Sequence, residues 1–271
     1  MINVNPYKHS DIVICSSEVI HEYKKINSTV YGNYYYMISS NEEKIKKFLQ
    51  NKISSYSCDK LFKRDFLLEN NMKFLENVYF EDVNMVLKCL HKSRKISITT
   101  NTFYKYLQRD DSITHTTTLK HLRDFKSEIN SCYKFINTYY NYSEMEVYIR
   151  SLKFLHTTML LKMLKTLNKE KEVEKYFKKL PNQIIIFGAS SSGELIKYFC
   201  DLFSIKVQYY FDNDSRKWGE YLNDTIILNP NDLKKEKDSS KIFIASMYYI
   251  DIYEQLGELG FNNEIIDLEI F

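Results

Sequence analysis

Glycine and proline are scarce in this chain, and the little there is lies unevenly. Of six glycines in 271 residues, Gly32 alone lies in the first 187 and the other five in the last 84, a shift that implies a domain boundary. Proline occurs three times, and Pro181 stands just before the apolar run Ile184, Ile185, Ile186 and Phe187, which places that boundary near residue 182. No apolar run approaches the roughly 20 residues needed to cross a bilayer, and the polar opening MINVNPYKHSD does not read as a signal peptide. The expectation is a cytoplasmic protein, either soluble or held peripherally at the inner face of the membrane. The five cysteines (Cys15, Cys58, Cys89, Cys132, Cys200) lie far apart with no C-x-x-C and no histidine at zinc-ligand spacing, so reduced thiols are expected. With 38 basic against 35 acidic residues the net charge is +3, and nothing global points to nucleic acid.

Hydrophobic residues make up 44% of the chain, enough for a core in one large domain or two ordinary ones. The pattern predicts an α/β protein in three parts: a mixed α/β domain over 1–117, a helical connector over 118–181 and a parallel-sheet domain over 182–271. In the first part DIVIC (Asp11 to Cys15) and KISIT (Lys95 to Thr99) read as strands. NEEKIKKFLQNKI (Asn41 to Ile53) reads as a helix capped by Asn41. Across the connector, Leu122, Phe125, Ile129, Cys132 and Ile136 form one helical stripe, and Met145, Tyr148, Leu152, Leu155, Met159 and Met163 another. The methionines read as packing, and His156, one position off their stripe, as structural. Lys162 to Lys179 holds seven lysines against three glutamates. That face suits either a solvated, i,i+4-paired helix or anionic lipid head groups, and pairing is the simpler reading.

The chemistry-bearing stretch is CDKLFKRDFLLENNMKFLENVYFEDVNMVLKCL, followed by FYKYLQRDDSIT. Its centre is the adjacent pair Glu81 and Asp82, led by Tyr79 and Phe80 and followed by Val83, Val86, Leu87 and Leu90 at helical spacing. Two readings of Asp82 stand side by side. It suits the N-cap of the helix that Val83 opens, and a carboxylate at such a junction also suits a general base.

In wording and order the stretch resembles the acceptor-side half of family-two glycosyltransferases of the GT-A type, with the pattern NKLY(K/R)R-x-FL, then an aromatic before ED, then Y-x-R-x-x-SIT. The resemblance covers roughly residues 7–117. It implies inverting transfer from a nucleotide-sugar to an acceptor hydroxyl, with Asp82 as base and Glu81 beside it in acceptor binding. It places Arg109, Ser112 and Lys60 near the leaving diphosphate, for which arginine's planar fork is suited. Asp59 stands where the family pattern has Asn. No Asp-x-Asp precedes Glu81, so by this resemblance the donor-binding half and its divalent metal belong upstream. They would come from a separate polypeptide or a longer gene. Asp212-Asn213-Asp214 has the right letters but follows a strand of the other domain, and Asp110-Asp111 reads as a polar loop pair.

Over 183–271 the pattern is β-α-β, a short strand, then β-α-β. Gly188-Ala189-Ser190-Ser191-Ser192-Gly193 sits between strand and helix, where backbone N–H groups face a phosphate, and Asp212 ends the next strand, where an acid binds ribose hydroxyls. Gly188 and Gly193 fit the outer glycines of the dinucleotide fingerprint, with Ser190 in the place of the middle one and Ser192 beside the third. The alternative is small residues used only for strand–helix packing. The segment, including FDND, Trp218-Gly219 and IASMYY, resembles the Rossmann-like nucleotide-binding modules of polysaccharide-biosynthesis proteins. That resemblance implies NAD or a nucleotide-sugar as ligand. No Tyr-x-x-x-Lys or other dehydrogenase set accompanies it. The combined expectation is a glycosyltransferase-related protein of surface polysaccharide synthesis with a carbohydrate or lipid-linked acceptor. The alternative is a noncatalytic nucleotide-binding or scaffolding module, working as a homo-oligomer or with a donor-domain partner.

Overall fold

The computed structural model describes residues 7–21, 24–29, 36–108, 116–235, 241–261 and 264–271. The protein is mixed α/β and divides into two compact units, Met1–Asn141 and Tyr142–Phe271.

In unit 1 the run Ile12 to Cys15 is buried and opens β1 (Ile12–His21). This strand is the hub of a five-stranded sheet. Along Ile12–Ile14 it pairs antiparallel with β4 (Lys60–Phe62), and along its second half antiparallel with β2 (Lys24–Thr29). On its other edge it runs parallel to β5 (Ile96–Gln108), which bonds antiparallel to β3 (Tyr36–Ile38). Both β1 and β5 outrun the apolar cores that announce them. Residues 17–20 are only half-buried, so hydrophobic patterning fades before the backbone ladder does.

Helix α1 (Asn41–Leu49) buries Ile45, Phe48 and Leu49. Its cap is Ser40, whose hydroxyl accepts the Glu43 N–H at 3.3 Å, rather than Asn41, and Asn51 at φ 55 ends it before Ile53. Lys44 is wholly buried on the same helix. Its ammonium donates to the Ser93 carbonyl and, at 3.1 Å, to the Ser93 hydroxyl, and burial lowers its pKa to about 8. After α2 (Arg64–Glu69), α3 (Glu81–Lys92) lies along α4 (Leu119–Tyr139) in matching order. Phe80 meets Phe125 at 5.2 Å, Asn84 Nδ2 donates to both Glu128 O and Oε2 at 2.7 Å, and His91 meets Phe135 at 5.2 Å. Partners a constant interval apart along both helices mean that the two run parallel.

The helical stretch expected to act as a connector divides at residue 141. Helix α4 packs in unit 1, and α5 (Tyr142–Thr166) and the short α6 (Glu174–Phe177) belong to unit 2.

Unit 2 is built on a six-stranded sheet of order β11-β10-β6-β7-β9-β8. These strands are β6 (Gln183–Phe187), β7 (Lys206–Phe211), β8 (Tyr221–Leu222), β9 (Thr225–Leu228), β10 (Lys241–Ile244) and β11 (Ile265–Ile266). All pairings are parallel except the β8–β9 hairpin. Ile184 to Phe187 have no exposed surface, as a central parallel strand covered on both faces requires. Helix α7 (Ser191–Leu202) connects β6 to β7, and α8 (Tyr249–Glu258) connects β10 to β11, with Gly260 at φ +85 just past its end. The C-terminal strand is tied to α5: Arg150 Nε donates to Asp267 Oδ2 at 2.6 Å and its Nη2 to the Ile265 carbonyl at 3.2 Å.

Candidate functional site

Glu81 and Asp82 both lie in the first turn of α3, so Asp82 is not the N-cap. That position falls to Phe80, which adopts the left-handed conformation at φ 63, ψ 23 and brings Glu81 directly into the helix. Displaced from the cap, the Asp82 carboxyl meets the Ser57 N–H and its own backbone N–H. Burial, then the Glu81 charge, raises its pKa to about 6 against the pull of those N–H groups and of Lys60. A half-desolvated acid titrating near neutrality is suited to exchanging a proton with a hydroxyl.

The opposing wall is the loop 54–59, and Lys60 builds it. The Lys60 side chain has no exposed surface, and its ammonium donates to Ser54 O (2.8 Å), Ser54 Oγ (3.0 Å), Tyr56 O (2.6 Å) and Asp59 Oδ1 (2.6 Å). Asp59 in turn accepts from Ser54 Oγ at 2.5 Å, and its carbonyl accepts the Cys15 N–H at 2.9 Å. Lys60 therefore folds the loop beneath Asp82 and is closed to a diphosphate. Its family-like position marks a buried organising cation. Arg109 and Ser112 lie outside the described residues.

The sequence pattern gives no prominence to Tyr56, Cys58, Tyr104 and Tyr106. Tyr56 is 64% exposed and lies near enough to Asp82 to feel its charge. Cys58 is exposed and shares a hydrogen bond with the Tyr104 phenol. Tyr104 and Tyr106, two apart on β5, project to one side of the sheet. The one signal for them is the alternation in FYKYL, which reads equally as an ordinary half-exposed strand. Among the described residues no three His, Cys, Asp or Glu side chains come together to hold a metal ion.

In unit 2, Gly188 takes φ +121, and a Cβ there would lie 2.5 Å from the Ala245 carbonyl oxygen. A Cβ on Gly193 would lie 2.2 Å from the Gly188 carbonyl oxygen. Strand–helix packing thus accounts for both glycines. Ser190 donates through Oγ to the Ala245 carbonyl at 3.2 Å and gives α7 no side-chain cap. The Asp212 carboxylate accepts from the Ala189 N–H (2.9 Å), the Asp214 N–H (2.8 Å) and the Lys217 ammonium (2.9 Å). Lys217 also donates to the Ala189 carbonyl at 2.9 Å, so it bridges the glycine turn and the acid. Two of these three donors to Asp212, the Ala189 N–H and Lys217, share Oδ2, and the start of α7 carries no side-chain cap. Ser192 lies there, in a groove of about 950 Å³ that it lines with Ser191, Lys162, Lys165 and Thr158. His156 fits a structural role, since burial depresses its pKa to about 3 and keeps the ring neutral. No helix among the described residues is long and apolar enough to cross a membrane.

Comparison with known proteins finds similarity to a protein family and to a relative named as a galactosyltransferase. The family model described as C2185-like, N-terminal, matches residues 180–266, which span the whole unit 2 sheet. A protein named cholesterol galactosyltransferase, from Borreliella burgdorferi, is 30% identical over 109 residues, covering 34% of this chain and 30% of the relative. The matched part is thus under a third of that relative's length.

Proposed function

We propose that this chain is a glycosyltransferase-related protein whose first unit presents the acceptor side of a sugar-transfer site. The observation that carries the reading is the Asp82 carboxyl, set in the first turn of α3 over the Lys60-folded loop and raised to about 6. The chain's similarity to a relative named for galactosyl transfer agrees with this. In the proposed reaction the Asp82 carboxylate takes the proton of an acceptor hydroxyl. The freed oxygen bonds to the anomeric carbon, the carbon–oxygen bond to the diphosphate breaks, and the nucleoside diphosphate departs with inversion. Glu81 and Tyr56 would flank the acceptor, a carbohydrate or lipid-linked alcohol. Donor and metal binding are assigned to a further segment or polypeptide that supplies the Asp-x-Asp half, with surface-polysaccharide synthesis at the inner membrane face as the setting.

The test is transfer of labelled sugar from UDP-sugars to carbohydrate and lipid-linked acceptors, with a donor-binding half supplied. Asp82→Asn should lower the turnover at least about 100-fold, because an amide cannot accept the proton. Full activity in that variant would sink the assignment.

A second reading, a noncatalytic nucleotide-binding module, is favoured by the uncapped start of α7 in unit 2. Calorimetry with NAD and UDP-sugars tests it. Binding that is unchanged in Asp212→Ala and in a charge-reversed Lys162→Glu/Lys165→Glu variant would reject a phosphate site at that helix start.

A further inference from the structure

Phe80 is a bulky residue held at φ 63, a conformation that persists only where its surroundings impose it. The surroundings here are the first two turns of α4. The Tyr79 ring stacks on His121 at 3.9 Å and 4°, and the Lys120 ammonium lies 4.1 Å from the centroid of the same ring. The Tyr79 N–H donates to Asp124 Oδ2 at 3.2 Å, and Lys120 ties Asn77 O (2.7 Å) to that same carboxylate. Phe80 itself meets His121 at 6.3 Å and Phe125 at 5.2 Å, both edge to face. His121 is fixed in turn: its Nδ1 accepts the Thr118 N–H at 3.2 Å, which places the proton on Nε2. That Nε2, in a side chain of a residue only 8% exposed, has no hydrogen-bond partner among the described residues. A buried donor left unsatisfied and a left-handed phenylalanine, one contact apart, are both unfavourable locally, and both lie directly upstream of Glu81 and Asp82.

We propose that this α4 clamp on Tyr79 and Phe80 is the positioning device for Asp82, with His121 and Tyr79 as positioning residues. It forces the left-handed entry into α3 that denies Asp82 the cap position and turns its carboxyl onto the 54–59 loop. The proposal rests on the reading of Asp82 as the base, and it gives that site its support. The groups that act on the carboxyl are Glu81 from α3, the Lys60 ammonium from β4, and Tyr56, Cys58 and the Ser57 N–H from the loop.

The test is titration of the Asp82 carboxyl by carbon-13 NMR in the full chain, which requires no enzymatic activity. The wild type should titrate near 6. His121→Ala and Tyr79→Ala should each lower the midpoint by at least one unit, as the carboxyl returns to solvent or to the helix start. His121→Phe keeps the ring but not the orphan donor, and should hold the midpoint near the wild-type value. Dispersed amide spectra establish that each variant is folded. An unchanged midpoint in a folded Tyr79→Ala or His121→Ala, or a His121→Phe midpoint as low as that of His121→Ala, would overturn the clamp. If the midpoints move as expected while no sugar is transferred, the clamp stands and the transferase reading fails. If sugar is transferred while the midpoints stay put, the transferase reading stands and the clamp fails.

Discussion

Asp82→Asn should stabilise unit 1, and by an amount that depends on pH in a defined direction. Folding raises this carboxyl from 3.8 to about 6. Each pKa unit corresponds to about 1.4 kcal/mol, so the ionised acid costs at most about 3 kcal/mol, and partial solvent contact reduces this to about 1–2 kcal/mol. The sign follows from proton counting. Between pH 4 and pH 6 the folded state holds the proton more tightly than the unfolded chain, so stability falls as pH rises through that window and the cost is constant above it. Asparagine does not ionise, and its side-chain oxygen still accepts the Ser57 N–H. The variant should therefore match the wild type near pH 4 and exceed it above pH 6.5. Urea titrations read by pulsed hydrogen exchange of α3 amides report on this unit, while the fluorescence of Trp218, in unit 2, serves as an internal control. A gain of the same size at pH 4.5 and pH 8, or none at pH 8, would refute the reasoning.

Three further perturbations probe other parts of the molecule. Lys44→Met removes an ammonium whose pKa burial lowers to about 8. The folded state sheds that proton before the unfolded chain does, so stability rises with pH between about 8 and 10.5; the variant should be about 1–2 kcal/mol more stable at pH 7 and less stable at pH 10.5, where only the lost Ser93 bonds remain, as urea midpoints would read. Gly193→Ala sets a Cβ 2.2 Å from a backbone carbonyl oxygen and should cost unit 2 at least about 3 kcal/mol, seen as a lowered urea midpoint in Trp218 fluorescence. Asp267→Ala strips the Arg150 guanidinium, whose side chain is 12% exposed, of its closer carboxylate partner, leaves Glu146 at 3.7 Å, and should cost about 2 kcal/mol in the same assay.

Sequence patterning is plain where a single physical rule dominates. Ile184 to Phe187 could only be a covered strand, and they lie in β6. Patterning misleads where two rules compete. The apolar runs at 12–15 and 96–98 locate β1 and β5 but not their ends, because backbone pairing outlasts burial on a sheet with a half-exposed edge. Asn41 and Ser40 are both good caps, and only the chain's entry angle chooses between them. The burial of Lys44, and of Lys60, which the resemblance places near a diphosphate, depends on acceptors, Ser93 for one and Ser54 with Tyr56 for the other, that no periodicity discloses. The helical stretch 118–181 is visible as helix, but its division at 141 depends on the face that α4 turns to Phe80, Asn84 and His91, which is tertiary information. In unit 2 the glycine turn is legible, whereas Lys217, five residues beyond Asp212, looks like part of a solvated turn.

The choice between cap and base for Asp82 is, at bottom, a choice about Phe80. In an extended conformation Phe80 would let the helix start later, and Asp82 would take the free N–H groups of the first turn, an arrangement that lowers a carboxyl pKa and needs no other support. The left-handed Phe80 forfeits that arrangement: the acid enters the helix proper, its neighbour Glu81 opposes its charge, and Lys60 is too committed to the 54–59 loop to neutralise it fully. The left-handed Phe80 and the Glu81 charge both work against stability at neutral pH, and contacts from α4 hold Tyr79 and Phe80 in place. A fold that needed only a capped helix would gain from losing both the conformation and the charge. Their coexistence around a single carboxylate is the physical argument for the proposed role of Asp82 as a base.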